Sequence, residues 1–126
     1  MNKEIATKVF ESLASGIRLE VYRLVVKTGL EGMVAGQIAS ELAIAPNNLS
    51  FHLKAMTHAG LLSVAQEGRF QRYRANLPLM LELIAFLTEE CCSGHPEQCA
   101  SLRTDSSCSP AVLPMLNLPT SCDCKD

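Results

Sequence analysis

Apolar positions in the first half of the chain recur at helical spacing and are broken at short intervals by Ser, Gly and Pro. Residues 3–14 place Ile5, Val9, Phe10 and Leu13 on one stripe, which predicts a first helix with that stripe turned inward. Ser15 and Gly16 interrupt the pattern, and Ser15 suits the N-cap of a second helix over 17–27. In that helix Ile17, Val21, Leu24 and Val25 face inward, while Arg18, Glu20, Arg23 and Lys27 face out. Gly29 and Gly32 bracket a loop. A third helix follows over 34–42 with Ile38, Ala39 and Leu42 inward, and Ala43-Ile44-Ala45 is a short connection.

The fourth segment organises the rest. Pro46 opens it, with the φ a first helical turn needs and no N–H to leave unpaired. Leu49, Leu53 and Met56, completed by Ala59, form an apolar face, and Gly60 stops the helix. The opposite face carries Asn47, Asn48, Ser50, His52, Lys54 and His58, with no carboxylate. A polar, acid-free face suits a helix that lies against DNA, although a solvated surface helix also tolerates it. Two short helices joined by about three residues, the second more polar, make a helix-turn-helix.

Beyond Gly60, "LLSVAQEGRFQRYRANL" offers two β-capable runs around Glu67-Gly68, which reads as a hairpin turn. Its alternation is imperfect, since Phe70 and Tyr73 have opposite parity. A basic hairpin directly after a helix-turn-helix is the wing of a winged helix, with Arg69, Arg72 and Arg74 as phosphate or minor-groove contacts. Pro78 then starts "PLMLELIAFLTEECC", a helix apolar nearly all round whose first charge is Glu82. Such a helix must be buried. In a small chain a second copy is the expected cover, with an internal core position as the competing reading. Gly94 and Pro96 stop it, and the Ser- and Pro-rich residues beyond 100 read as a mobile tail, with the apolar stretch 110–119 able to dock. The expected division is a winged-helix DNA-binding and dimerisation domain over 1–92 and a Cys-bearing tail over 93–126.

Composition narrows the partner. The 126 residues fit one domain, the net charge is −2 and the pI is about 5.9, so no global basic signature for nucleic acid exists. The basic signal is local: between 46 and 74 Glu67 stands alone against Lys54, Arg69, Arg72 and Arg74. A local basic face suffices, because counterion release depends on the contact surface. No secretory signal opens the sequence, and Leu77–Leu87 is too short to span a bilayer. We therefore expect a cytoplasmic protein without a membrane partner. In that reducing compartment six cysteines read as metal ligands or redox thiols.

The motifs "ASGIRLEVYRLV" (14–25) and "LSFHLKAMTHAGLLSVAQEGRFQRYRA" (49–75), in this order, resemble the ArsR/SmtB family of metal-sensing bacterial repressors. Ser50, His52 and Leu53, the Ala-Gly-Leu helix exit and the Glu-Gly-Arg wing turn occur together. The resemblance covers about residues 5–92. It implies a homodimeric, mainly α winged helix-turn-helix with a small β-hairpin, a repressor that leaves its operator when inducer binds, and no enzyme activity. The family's familiar sensing residues do not carry over. The Cys-x-Cys pair that many arsenic sensors hold before the reading helix has no counterpart in "MVAGQIASEL", and the last helix lacks the Asp and His of the zinc sensors.

The remaining thiols are Cys91 and Cys92 at the end of the last helix and Cys99 after a turn. Adjacent helical residues diverge by about 100°, so Cys91 and Cys92 cannot enclose an ion from one face. A turn through Gly94 and Pro96 can bring Cys99 back to meet them. Three thiolates suit As(III) or Sb(III), whose lone pair fills the fourth direction, and soft thiolates favour such ions. The arrangement resembles an arsenic-responsive subgroup with its site at the end of the last helix. His95 leaves a Cys₃His set for Zn(II) or Cd(II) open, although it also reads as an exposed turn residue. Cys108, Cys122 and Cys124 form a looser secondary set.

The expected function is an As(III)-responsive repressor that binds double-stranded operator DNA, as an inverted repeat, and needs no organic cofactor. Asn47, Asn48, Ser50 and His52 are the candidate base readers, and Lys54 with the wing arginines neutralises phosphate. A Cd(II)/Zn(II) sensor or a Cys92–Cys99 redox switch on the same scaffold are the near alternatives. A thiol enzyme or a metal buffer are the distant ones. Glu89 and Glu90 would raise a neighbouring thiol pKa, and no Gly-rich phosphate loop exists, which disfavours the enzyme.

Overall fold

The computed structural model describes residues 1–89. Five helices and three strands follow in the order α1 (Lys3–Leu13), α2 (Gly16–Lys27), β1 (Met33–Val34), α3 (Ala35–Leu42), α4 (Pro46–His58), β2 (Leu62–Glu67), β3 (Phe70–Ala75) and α5 (Leu77–Leu87). The strands form one antiparallel sheet in the order β1-β3-β2. Met33 pairs with Tyr73, and Val64 pairs with Tyr73 from the other side. Among the described residues, Met1–Met80 form one compact unit and the residues from Leu81 on belong to a second. The boundary expected at 92/93 falls outside the described residues.

Helix starts follow the sequence signals. Asn2 accepts from the Ile5 amide at 2.9 Å, and Ser15 accepts from the Arg18 amide at 3.4 Å, so each cap satisfies one of the free donors of a first turn. The end of α4 closes with the Leu61 amide bonded to the Met56 carbonyl at 3.0 Å and Gly60 at φ 88. That is a Schellman closure, and it turns Leu61 into the interior, where it is fully buried. The end of α3 closes similarly, Ile44 N–H to Ala39 C=O at 3.0 Å, but with Ala43 in the left-handed region at φ 54. Asn76 joins three elements of the first unit. Its amide donates to the Leu61 carbonyl (2.9 Å), its side-chain nitrogen donates to the Gly60 carbonyl (2.8 Å), and its side-chain oxygen accepts from Leu79 N–H (3.3 Å) at the start of α5.

The core is one apolar cluster from α1 to β2: Val9, Val21, Val25, Ile38, Leu49, Leu53, Met56 and Leu61 are all fully buried or nearly so. Several expectations need correcting. In α1 the buried stripe is Ala6, Val9 and Ser12, while Ile5 and Phe10 stand 43% and 46% exposed. The inward face is therefore rotated by about one residue, and two large apolar side chains are left outside. In α2 Tyr22 joins Val21 and Val25 in the core, and Ile17 and Leu24 are only half-buried. Val34 belongs to β1 and caps α3 instead of opening it. The hairpin turn is Gly68-Arg69, because Glu67 still pairs with Phe70. The parity conflict resolves with Tyr73 buried and Phe70 58% exposed. Helix α5 begins one residue before Pro78, and Leu83 is its sole buried residue, with Leu77 and Leu87 exposed.

Candidate nucleic-acid interface

Helix α4 is fastened by its inner face and free on its outer one. Leu49, Leu53 and Met56, at i, i+4 and i+7, are at most 2% exposed. Around the rest of the cylinder Asn47, Asn48, Ser50, Lys54 and His58 are exposed. No side chain caps the N-terminus, where Ala45 is extended and Pro46 opens the first turn. Its remaining first-turn N–H groups and the positive end of the helix dipole favour an anion. No acidic side chain occupies that turn.

One residue of this face, and one of α2 packed against it, escaped the sequence reading. Phe51, between Ser50 and His52, is 65% exposed, an unusual place for a phenyl ring on a polar face. Its spacing from Leu49 and Leu53 on a helical wheel was the available signal. Arg18 of α2, expected to point outward, is half-buried and donates through Nε to His52 Nδ1 at 3.0 Å. Its guanidinium carbon also lies 5.9 Å from the Phe51 ring centre, and the Phe51 and His52 rings meet edge to face at 5.6 Å. Burial lowers the His52 pKa, and the Arg18 charge lowers it further. His52 is thus tied to α2 through one ring nitrogen, in contrast to its free neighbours.

The wing arginines are divided. Arg69 is exposed in the turn itself. Arg72 donates from Nε to both Glu67 oxygens at 3.0 Å and from an η-nitrogen to the Glu31 carbonyl at 3.4 Å. Arg74 donates from Nε to the Leu30 carbonyl at 2.8 Å. These two bonds to carbonyls tie the wing to the loop after α2. Each guanidinium has five N–H donors, so both keep some for another acceptor. The exposed Arg72–Glu67 pair contributes little stability, about 0–1 kcal/mol.

The candidate sensor thiols Cys91, Cys92 and Cys99, the secondary thiols Cys108, Cys122 and Cys124, and His95 all lie outside the described residues. Among the described residues, no three His, Cys, Asp or Glu side chains gather to hold a metal ion, and no helix is long and apolar enough to cross a membrane.

A tri-helical core, a turn of three residues into an exposed polar helix, and a basic hairpin behind it define this architecture. The chain is a winged helix-turn-helix protein. A family model described as a helix-turn-helix domain matches residues 13–65. Solved structures share the fold. The ArsR-like transcriptional regulator from Rhodococcus sp. RHA1 is 22% identical with a TM-score of 0.62, over 83% of this chain and 96% of that one. HlyU from Vibrio cholerae is 23% identical with a TM-score of 0.55, over 69% and 97%. The winged helix-turn-helix domain of Mb0332 from Mycobacterium bovis, described as homodimeric and DNA-binding, is 23% identical with a TM-score of 0.55, over 73% and 85%. No curated relative matches the sequence. In this fold α3 and α4 are the helix-turn-helix pair and β2–β3 is the wing.

Proposed function

We propose that this winged helix-turn-helix protein is a homodimeric, ArsR-type transcriptional repressor whose inducer is As(III) or Sb(III), bound by Cys91, Cys92 and Cys99. The observation that carries the DNA-binding half is the outer face of α4, exposed and acid-free from Asn47 to His58, above a fully buried inner face. Asn47, Asn48 and Ser50 offer donors and acceptors to base edges, while Lys54 and Arg69 offer charge to phosphate. Support for a dimer comes from the exposed apolar residues Ile5 and Phe10 on α1 and Leu77 and Leu87 on α5, and from the homodimeric description of the Mb0332 domain. Two copies would present α4 to successive major grooves of an inverted repeat, about one helical turn apart.

The inducer reading rests on the thiols. Condensation of As(OH)₃ with three thiols forms three As–S bonds and releases three waters, leaving a neutral trigonal site. Cys91 and Cys92 follow α5 closely in sequence, so an ion that draws Cys99 to them acts next to the proposed seam. A change there alters the spacing of two reading helices, with a coupling of about 1–3 kcal/mol, and by linkage operator DNA weakens arsenite binding by the same factor. Released genes would serve arsenic efflux or detoxification in the cytoplasm. The redox reading, a Cys92–Cys99 disulfide as switch, draws on one matched structure being described as reduced HlyU.

The experiment is to select binding duplexes from a random pool and follow release by fluorescence anisotropy. Arsenite should release the duplex from the wild-type protein and fail to do so from Cys91→Ser, Cys92→Ser and Cys99→Ser. Arsenite release from all three variants overturns the ligand set. Release by peroxide without arsenite sensitivity selects the redox switch.

A further inference from the structure

One base-reading candidate is constrained as its neighbours are not. Arg18 is always protonated and has no acceptor, so its 3.0 Å bond to His52 requires a lone pair on Nδ1. A neutral imidazole carries a single N–H, which must then sit on Nε2. A second proton on Nδ1 would set two donors against each other at that distance. Burial and the Arg18 charge both oppose it. Phe51 limits the ring from another direction, edge to face at 5.6 Å. Arg18 itself is held on α2, whose Val21, Tyr22 and Val25 are locked in the core.

We propose that Arg18 is a positioning residue that fixes His52 as its Nε2–H tautomer, so that the reading helix presents a hydrogen-bond donor there and selects a purine N7 in each half-site. An imidazole without such a partner can either donate or accept, and so can meet an acceptor on a purine or an amino group on adenine or cytosine. With Nδ1 occupied, the accepting mode is lost. Nε2–H then pairs only with an acceptor at the major-groove edge, and among N7, guanine O6 and thymine O4 it is N7 that both purines present. The assignment rests on the DNA-binding reading for its partner, but the tautomer is a property of the free protein.

Two arms test it separately. In the free full chain with ¹⁵N-labelled histidine, long-range ¹H–¹⁵N spectra above the usual imidazole range should show His52 with an unprotonated Nδ1 and a protonated Nε2. In Arg18→Ala, and in the more conservative Arg18→Met, those two signals should move toward the average of exchanging tautomers while His58 stays unchanged. An Nδ1–H form in the wild type overturns the assignment, even if neither variant folds. So do signals that a folded Arg18 variant leaves in place. In the second arm the selected duplex is rebuilt with single 7-deazapurines, which lack the N7 acceptor. One position per half-site should lose about tenfold in affinity with the wild type and nothing further with His52→Ala. Uniform tolerance of 7-deaza substitution overturns the N7 contact. Failure to bind any duplex removes the DNA-binding reading and this contact with it, while the spectra still decide the role of Arg18.

Discussion

Helix α4 and the wing β2–β3 carry the same kind of chemistry on different foundations. In α4 the apolar side chains do the fastening, and Asn47, Asn48, Ser50 and Lys54 are left free on the outer face. In the wing the cations do part of the fastening: Arg72 is bonded to Glu67 and the Glu31 carbonyl, and Arg74 to the Leu30 carbonyl. A count of basic residues therefore overstates how many cationic side chains stand free of a partner within the fold. Position on the helix and prior bonding decide which cations are available, with Lys54 and Arg69 the least committed.

This contrast breaks most sharply in the core beneath α4. Leu53→Ala removes a side chain only 1% exposed and should cost about 2–5 kcal/mol in denaturant unfolding. An effect below that range would show that α4 is not held by its inner face. At the wing the sensitive point is its anchor loop. Gly32 lies at φ 73, and a Cβ there would stand 2.5 Å from the Tyr73 carbonyl oxygen and 2.7 Å from Arg74 Cγ. Gly32→Ala should cost about 1–3 kcal/mol and displace the strand that carries Arg72 and Arg74. Thermal unfolding measures the first effect, and loss of Arg74 side-chain order by NMR the second.

Smaller effects separate free from committed cations. Lys54→Ala should lower affinity evenly across sequences and reduce the salt slope by about 1 with little loss of stability. Arg74→Ala should cost stability through the lost Leu30 bond, about 1 kcal/mol, with a smaller change in salt slope. Equal slopes for the two variants would erase the distinction. The smallest effect is expected from Glu67→Gln. It frees the Arg72 guanidinium from a carboxylate and should raise DNA affinity severalfold at low salt, leaving stability within about 1 kcal/mol.

Much of this arrangement was legible in the sequence because it follows from local rules. Pro46, the Leu49–Leu53–Met56 spacing and Gly60 bound α4 at the expected residues. Ser15 caps α2 as its position suggested. Errors arose where a distant partner overrode the local pattern. Ile5 and Phe10 looked like core because a stripe cannot say which of two adjacent faces the chain covers. Val34 looked helical, but strand β3 recruits it beside Arg72. The turn shifted to Gly68-Arg69 because register is set along the whole ladder from Leu62 with Ala75 to Glu67 with Phe70. The Arg18–His52 bond joins residues 34 apart in sequence, which no periodicity reveals.

Under the proposed function, residues 46–58 read base sequence. The most direct measurement of this is to repeat the selection of duplexes from a random pool with the double variant Asn47→Ala, Asn48→Ala beside the wild type. The account predicts that the variant retains non-specific affinity and its salt dependence, while preference is relaxed at one or two base pairs in each half-site, by about 1–3 kcal/mol at each. An unchanged preferred sequence bound with unchanged affinity would contradict it.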